Sequence, residues 1–259
     1  MKIVSWNVNS IRARHDRFLN WLQANEPDVV CLQELKCQED DFPWDEISSL
    51  GYTASVLGQK TYNGVAILSF ADQTNVAYGM DDGVDDAQAR FVAATIEGVR
   101  VIDVYVPNGG TMGSDKWAYK LEWYGRLRRW LDAKADPKAP LVLCGDFNVA
   151  PTDLDVARPK EWADGVLCAP AARAALANVA DFGLIDTFRQ HEPGAGHYSW
   201  WDYRRRGLAA NNGLRIDFIL ATEPLAARCK AAGIDRDERE ETPGEPKPSD
   251  HAPIWAEFD

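Results

Sequence analysis

Consecutive apolar residues, closed at each end by polar or turn residues, recur along the chain. They lie at 2–6 (KIVSW), 28–33 (DVVCLQ), 64–70 (GVAILSF), 91–96 (FVAATI), 100–106 (RVIDVYV), 141–145 (LVLCG), 216–221 (IDFILA) and 253–258 (PIWAEF). Short runs without polar alternation predict β-strands covered on both faces. Helical periodicity falls between some of them. Residues 14–25 place Phe18, Trp21 and Leu22 on one face, and 116–134 repeat Trp117, Leu121, Tyr124, Leu127 and Leu131 at the 3.6-residue period. An Ala-rich stretch at 170–180 predicts a third helix. Strand-only stretches such as 52–106 break a strict alternation of strand and helix, so two packed sheets with helices outside are expected. The Pro-rich piece at 242–248 (TPGEPKP) predicts a surface loop. With no repeat, low-complexity tract or linker, one domain spanning 1–259 is expected.

Polar side chains collect where the apolar runs end. Asn7 and Asn9 follow the first run, and Gln33 and Glu34 close the second. Tyr105 and Asn108 bracket a Val-Pro pair, Asp146 and Asn148 follow LVLCG, Asp217 lies inside RIDFIL, and Asp250 and His251 precede PIWAEF. A buried strand ending in such a group must satisfy it with a ligand, a metal or a local turn bond. For any one Asn or Asp, a bond to neighbouring turn backbone is sufficient. Asp217 is harder to explain that way: it sits between Ile216 and Phe218, where an unpaired charge is costly to bury. Its candidate partners are His251, which an Asp would fix in one tautomer and favour as imidazolium, and Arg215, two residues before it. Glu34, Asp146 and Asp250 supply carboxylate oxygen, and Asn7 and Asn148 supply amide oxygen. That hard-oxygen set suits Mg²⁺ or Mn²⁺ and does not suit zinc. Joined by a His and a Tyr, it meets the needs of phosphoryl transfer: charge neutralisation, water orientation, phosphate grip and proton handling.

Charge complicates the substrate class. Against 28 Lys and Arg stand 40 Asp and Glu, a formal net charge of -12, which argues against a polyanion partner when taken over the whole chain. The acidity is local. Residues 39–46 carry -5, 81–86 carry -4 and 235–245 carry -4, which leaves the remainder at +1. By contrast 204–215 holds four arginines and no acid. The five cysteines, without a C-x-x-C pair, read as buried free thiols, and Cys168, His191 and His197 as structural residues. The N-terminal MKIVSWNVNS turns polar too soon for a signal peptide, and no apolar run reaches the roughly 18 residues of a membrane span, so a cytoplasmic location without membrane association is expected.

The strings SWNVNSIRAR, LQELK, YVPNGG, GDFNVAPTDLD, SWWDYRRRG, NNGLRIDFIL and PSDHAPIWAEF, spread from residue 5 to residue 258, resemble the bacterial exonuclease III family. Its members are class II abasic-site endonucleases of the endonuclease/exonuclease/phosphatase superfamily. GDFN and SDH are shared across that superfamily, whereas LQE-x-K, SWWDYR and GLRID narrow the resemblance to its DNA-repair branch. The resemblance implies a four-layer α/β sandwich, two packed mixed sheets flanked by helices. It implies Mg²⁺-dependent hydrolysis on the 5′ side of an abasic site in duplex DNA, 3′→5′ exonuclease activity, removal of 3′-phosphate blocks and a monomeric enzyme. By motif position, it makes Glu34 the principal metal ligand with Asn7 and Asp250 beside the metal. It makes Asp146 the residue that activates water, Asn148 the holder of water and phosphoryl oxygen, and His251, paired with Asp217, the grip on the scissile phosphate. Asp146, Asn148 and His251 also count among the metal-site residues. Tyr105 would donate to the phosphate or the leaving oxygen; a phenolate nucleophile and the number of metal ions stay open at this level. Asn108, Trp200, Arg204 and Leu214 are expected at the DNA, Trp200 and Leu214 as walls of the pocket for a flipped-out sugar.

Two positions depart from the family pattern: Leu35 replaces a small polar residue, and Asn9 stands where eukaryotic relatives often carry Asp. The second disfavours a tight second-metal site. A phosphatase of the same superfamily acting on a small phosphoester is the alternative activity, and a non-catalytic DNA-binding relative is a third. A local basic strip is expected to carry DNA binding, with weak non-specific affinity at physiological salt.

Overall fold

A computed structural model describes residues 1–204 and 207–259; Arg205 and Arg206 of the arginine run lie outside the described residues. The strands are β1 (Lys2–Asn7), β2 (Val29–Gln33), β3 (Thr53–Leu57), β4 (Val65–Ser69), β5 (Thr74–Tyr78), β6 (Phe91–Ile96), β7 (Val99–Tyr105), β8 (Leu141–Asp146), β9 (Leu184–Asp186), β10 (Asp217–Thr222), β11 (Cys229–Ile234) and β12 (Ile254–Phe258). The helices are α1 (His15–Asn25), α2 (Trp44–Ser49), α3 (Asp115–Lys134), α4 (Pro159–Trp162), α5 (Pro170–Ala180), α6 (Thr187–His191) and α7 (Glu223–Ala226). Among the described residues they form two six-stranded sheets, ordered β11-β12-β1-β2-β4-β3 and β5-β6-β7-β8-β10-β9.

Each sheet is built around one parallel pair, β1 with β2 and β7 with β8, and the other pairings are antiparallel. A parallel pair needs a crossover, which α1 supplies in the first sheet and α3 in the second. Helix α1 buries Phe18, Trp21 and Leu22 against Val4, Trp6, Val30 and Leu32 on the outer face of its sheet. Helices α3 and α5 cover the outer face of the other sheet, with Trp123, Leu127, Leu131, Leu176 and Val179 packed on Ile102, Val104 and Leu143. The inner faces meet through Ile3, Val29 and Ile67 on one side and Val92, Val101, Val142 and Ile219 on the other. The result is helix, sheet, sheet, helix, the expected four-layer α/β sandwich.

The face of α3 differs from the expected one. Trp117 and Leu121 are only partly buried, and the deepest stripe runs through Lys120, Trp123, Tyr124, Leu127, Trp130 and Leu131. Tyr124, Leu127 and Leu131 of the expected face belong to it, while Lys120, a residue without an apolar signal, is buried where Leu121 was expected. Strands β3, β5, β9 and β11 had no counterpart in the apolar runs, and these are the edge strands of the two sheets. Edge strands are half-solvated; β5, for example, has no buried residue.

The space between the sheets grades from apolar to charged along the parallel strands. With side chains alternating between faces, β1 presents Ile3, Ser5 and Asn7 inward, and β2 presents Val29, Cys31 and Gln33. Strand β7 presents Val101, Asp103 and Tyr105, and β8 presents Val142, Cys144 and Asp146. At mid-depth Gln33 Nε2 donates to Ser5 Oγ at 3.0 Å and to Asp103 Oδ1 at 2.6 Å, tying the sheets together. Burial pushes the wholly enclosed Asp103 carboxyl well above its ordinary range. The polar ends of all four strands therefore open at one rim of the sandwich.

Gly145 lets β8 sit against β7. Its φ is +139°, and a Cβ built there would lie 1.9 Å from the Val104 carbonyl oxygen. Gly145→Ala is expected to lower unfolding free energy by more than about 2 kcal/mol, because β7 must move or the ladder must break. Urea denaturation midpoints check this, and an unchanged midpoint would contradict it.

Candidate active site

The rim gathers side chains from six segments. Tyr105 ends β7 and donates its hydroxyl to Glu34 Oε1 at 2.8 Å. Asn7 ends β1 and donates Nδ2 to Glu34 Oε1 at 3.0 Å and to Asp146 Oδ2 at 2.9 Å. Asn108 Nδ2 donates to Asn148 Oδ1 at 2.9 Å, and the Asn148 backbone N–H donates to Asp146 Oδ1 at 2.8 Å. Asp217, which begins β10, accepts from His251 Nδ1 at 2.9 Å, and His251 Nε2 faces Asp146 Oδ2 at 3.7 Å.

Several of these side chains are aimed by unusual backbone. Glu34 (φ 54°), Lys36 (φ 53°), Asn9 (φ 46°) and Asn148 (φ 50°) are left-handed without being glycine. Asn tolerates that region, whereas a Glu pays about 1 kcal/mol for it. The Glu34 turn is held by Ser10 N–H to Glu34 O at 2.7 Å and Leu35 N–H to Gly64 O at 3.2 Å. The turn lifts the carboxylate out of the strand register and over the inter-sheet space.

One choice left open by the sequence is settled by geometry. Asp217 pairs with His251, while Arg215 bonds to Asp155 at 2.7 Å and to Asp186 at 2.8 Å. Ser199 Oγ also donates to Asp217 Oδ2 at 2.6 Å. The Tyr105 hydroxyl donates to Glu34, and burial first, then the Glu34 and Asp146 charges, push its phenol well above the ordinary value. The Arg90 guanidinium stacks 4.6 Å over the Tyr105 ring and donates to the Tyr105 carbonyl at 3.0 Å.

The charges are mutually tuned. Burial raises Asp146 most, Asp217 and Glu34 raise it further, and His251 only partly offsets them, leaving it at about 7. Burial alone would lower His251, but Asp217 and Asp146 outweigh it and hold the imidazole up at about 10. For Glu34, burial is outweighed by Lys36, whose ammonium lies 2.7 Å from Oε2, and by Asn7, so its carboxyl is held low. Asp250 is likewise lowered against burial, by His251, Trp200 and Asn9.

Glu34, Asp146 and His251 bring one ligand-type atom each within 4.8 Å of one another. All three belong to the expected metal-site set, and the two carboxylates among them fit a hard divalent cation. Asn7 lies beside both carboxylates: its Oδ1 accepts the Asn9 N–H at 3.0 Å, and its NH₂ group faces Glu34 and Asp146. The Asn148 oxygen is taken by Asn108, and the Asp250 oxygens accept from Asn9 Nδ2 at 2.7 Å and Trp200 Nε1 at 3.0 Å.

At the expected DNA-facing wall, Trp200 is partly exposed and meets Trp162 edge-on with centroids 5.7 Å apart. Leu214 shows no exposed surface; it pairs with Trp200 through backbone bonds of 2.9 Å and supports that ring from behind, so the expectation that it walls a pocket is corrected. Arg204 is exposed beside Trp162 and Asn212 at a cavity of 280 Å³. Arg215, counted in the basic strip, is 2% exposed and unavailable to a polyanion. Sequence reasoning also passed over Lys36, Arg90, Trp162 and Ser199 as functional residues. Lys36 alone carried a signal, its place directly after Glu34 and Leu35.

Residues 4–251 match the Endonuclease/Exonuclease/phosphatase family. The chain is 37% identical over 270 residues to exodeoxyribonuclease III of Haemophilus influenzae, with 100% of both chains covered. It is similar to the structure of an AP endonuclease from Archaeoglobus fulgidus, with TM-score 0.95 and 38% identity over 100% of this chain and 99% of that one. It is also similar to a 3′ phosphatase from Neisseria bound to a product DNA hairpin, with TM-score 0.94 and 41% identity over 100% of this chain and 99% of that one.

The His251 proton is open to measurement. Raised from 6.5 to about 10, its pKa makes the ion pair with Asp217 contribute stability that is fully present below about 6.5 and lost as pH rises through about 10. In metal-free protein at pH 8, the ¹⁵N shifts of His251 are expected to be those of an imidazolium, and Asp217→Asn is expected to convert it to the neutral ring. A neutral imidazole in the unaltered protein at that pH would refute the assignment.

Proposed function

The chain belongs to the endonuclease/exonuclease/phosphatase family, and from that premise we propose that it is a DNA-repair nuclease of the exonuclease III type. It hydrolyses the phosphodiester 5′ to an abasic site in duplex DNA, degrades duplex DNA 3′→5′ and removes 3′-phosphate blocks. The observation that carries this reading is the convergence of Glu34, Asp146 and His251 at one rim, with ligand-type atoms within 4.8 Å of one another and Asp217 holding the far side of the imidazole at 2.9 Å. A buried carboxyl raised from its ordinary value suits proton transfer from water, and an imidazole held by a carboxylate suits a phosphate oxygen.

Mg²⁺, with Mn²⁺ as a substitute, is the proposed cofactor, held by Glu34 and Asp146; when bound it supplies positive charge to the phosphoryl oxygens. Asp146 accepts the proton of the attacking water, and Asn148, steadied by Asn108, orients that water and a phosphoryl oxygen. His251 grips a non-bridging oxygen and Asp217 keeps the imidazole charged. Tyr105, neutral, donates toward the phosphate or the leaving oxygen. Trp200, backed by Leu214, walls the space for a sugar without a base, and Arg204 meets the DNA backbone. Asn7 and Asp250 hold the two carboxylates and Trp200 in place.

The reading treats residues 1–259 as one domain, acting as a monomer in the cytoplasm. The free state of Cys31, Cys37, Cys144, Cys168 and Cys229 supports a reducing compartment. Among the described residues no helix is long and apolar enough to cross a membrane.

EDTA-sensitive incision of a duplex carrying one abasic analogue is the expected activity, and an intact duplex after prolonged incubation with Mg²⁺ would sink the reading. Asp146→Asn is expected to cut turnover by about a hundredfold or more while leaving DNA affinity in place; equal loss of both would displace Asp146 from proton transfer. Glu34→Ala is expected to shift the Mg²⁺ titration to higher concentration, and an unchanged titration would remove Glu34 from the metal site.

A further inference from the structure

Lys120 is wholly buried on the inner stripe of α3, yet among the described residues no carboxylate salt-bridges its ammonium. Its Nζ donates instead to three backbone carbonyls from three separate loops: Asn108 O at 3.0 Å, Asn148 O at 2.6 Å and Val166 O at 3.1 Å. A methionine would fill the same channel without the desolvation cost of a buried charge, so packing does not account for a lysine here. The surrounding chain is shaped around it. Gly109 (φ +95°) passes so close that a Cβ there would lie 2.8 Å from Lys120 Cδ.

Two of the three acceptors belong to residues of the site. Asn108 and Asn148 face each other through their side-chain amides at 2.9 Å, and the ammonium holds both of their carbonyls from behind. One cation therefore fixes the peptide planes of both loops. It also balances the left-handed turn at Asn148 (φ 50°), which sends its NH₂ group to Val106 O at 2.9 Å and to Asp146 Oδ2 at 3.2 Å. A loop joined to its neighbour through one amide pair alone would drift by tenths of an ångström, which is costly where a water must be aligned.

We propose that Lys120 is a positioning residue for the reaction, a buried clamp that sets the Asn108–Asn148 pair against Asp146. The assignment rests on the reading that Asn148 orients the attacking water and a phosphoryl oxygen. Lys120 touches neither substrate nor metal. It acts through two backbone carbonyls, so its loss lowers the chemical step and spares binding.

The test compares Lys120→Met and Lys120→Arg with the unaltered enzyme in single-turnover incision of an abasic duplex at saturating Mg²⁺. Lys120→Met is expected to slow incision at least tenfold with DNA affinity within twofold, and Lys120→Arg to recover part of that loss. Adding Asn108→Ala to Lys120→Met is expected to cost far less than Asn108→Ala costs alone, because both changes release the same loop. Full activity in Lys120→Met, or additive effects in the double variant, would overturn the clamp. Should Lys120→Met fail to fold, Lys120→Arg carries the same comparison, with its rate loss expected to be non-additive with Asn108→Ala and additivity again overturning the clamp. The side-chain NH₂ resonances of Asn108 and Asn148 report the clamp without DNA, and they are expected to shift in the folded Lys120 variants; unmoved resonances would also overturn it. If the unaltered protein leaves abasic DNA intact while these resonances move, the functional reading fails and the clamp stands.

Discussion

The site depends on one buried electrostatic arrangement, the imidazolium of His251 between two carboxyls. Asp217 grips it at 2.9 Å and Asp146 stands 3.7 Å away on its far side. Both carboxyls and the ring are nearly inaccessible to water. In so dry a setting an unpaired charge is very costly, so removing any member leaves the others uncompensated. The same condition tunes the chemistry: Asp217 keeps the ring charged, and the ring keeps Asp146 from rising further toward the neutral acid. A group poised near 7 beside a fixed cation is thus a consequence of how three buried charges share one space.

The sheets make that arrangement possible. Parallel pairing places the C-terminal ends of β1 and β2 level with each other, and does the same for β7 and β8. Packing the two pairs face to face brings four polar strand ends to one rim. Strand β10 runs the other way, so it contributes its first residue, Asp217, directly opposite Asp146. The aliphatic residues deeper in the sandwich supply cohesion, and the Ser5, Gln33 and Asp103 layer forms the transition between them and the charged rim.

Legibility in the sequence followed the physics of each element. Central strands and the crossover helices α1 and α3 were readable because burial on both faces, or along one stripe, leaves an unbroken apolar signal. Strands β3, β5, β9 and β11 were not, since pairing on one side only allows polar residues anywhere along them. Within the site, Asp217 was conspicuous because a carboxylate inside an apolar run has few innocent explanations. The partner question remained open because Arg215 is two residues away and His251 thirty-four, and sequence distance carries no information on orientation. Lys120 and Ser199 were invisible for a related reason. Their importance lies in which carbonyl or carboxylate they reach, and neither residue type nor spacing encodes that.

Net charge proved a poor guide to substrate, and the placement of the acids explains why. Asp82 and Asp86 are bound by Arg126 of α3, at 2.7 Å and 2.5 Å, and Glu238 and Glu245 by Arg17 of α1, at 3.0 Å and 3.3 Å. These acids fasten surface loops to the outer helices. Each lies in one of the strongly acidic windows, so part of the local negative charge of those windows is offset by an arginine from outside them, with the net charge unchanged at -12. Screening over about 8 Å at physiological ionic strength further isolates the remaining acids from a distant ligand. Near the rim the balance differs: Lys36 stands at Glu34, Arg14 donates to the Asn9 carbonyl at 2.6 Å, and Arg204 is exposed. A polyanion approaching along that rim meets these cations at contact distance.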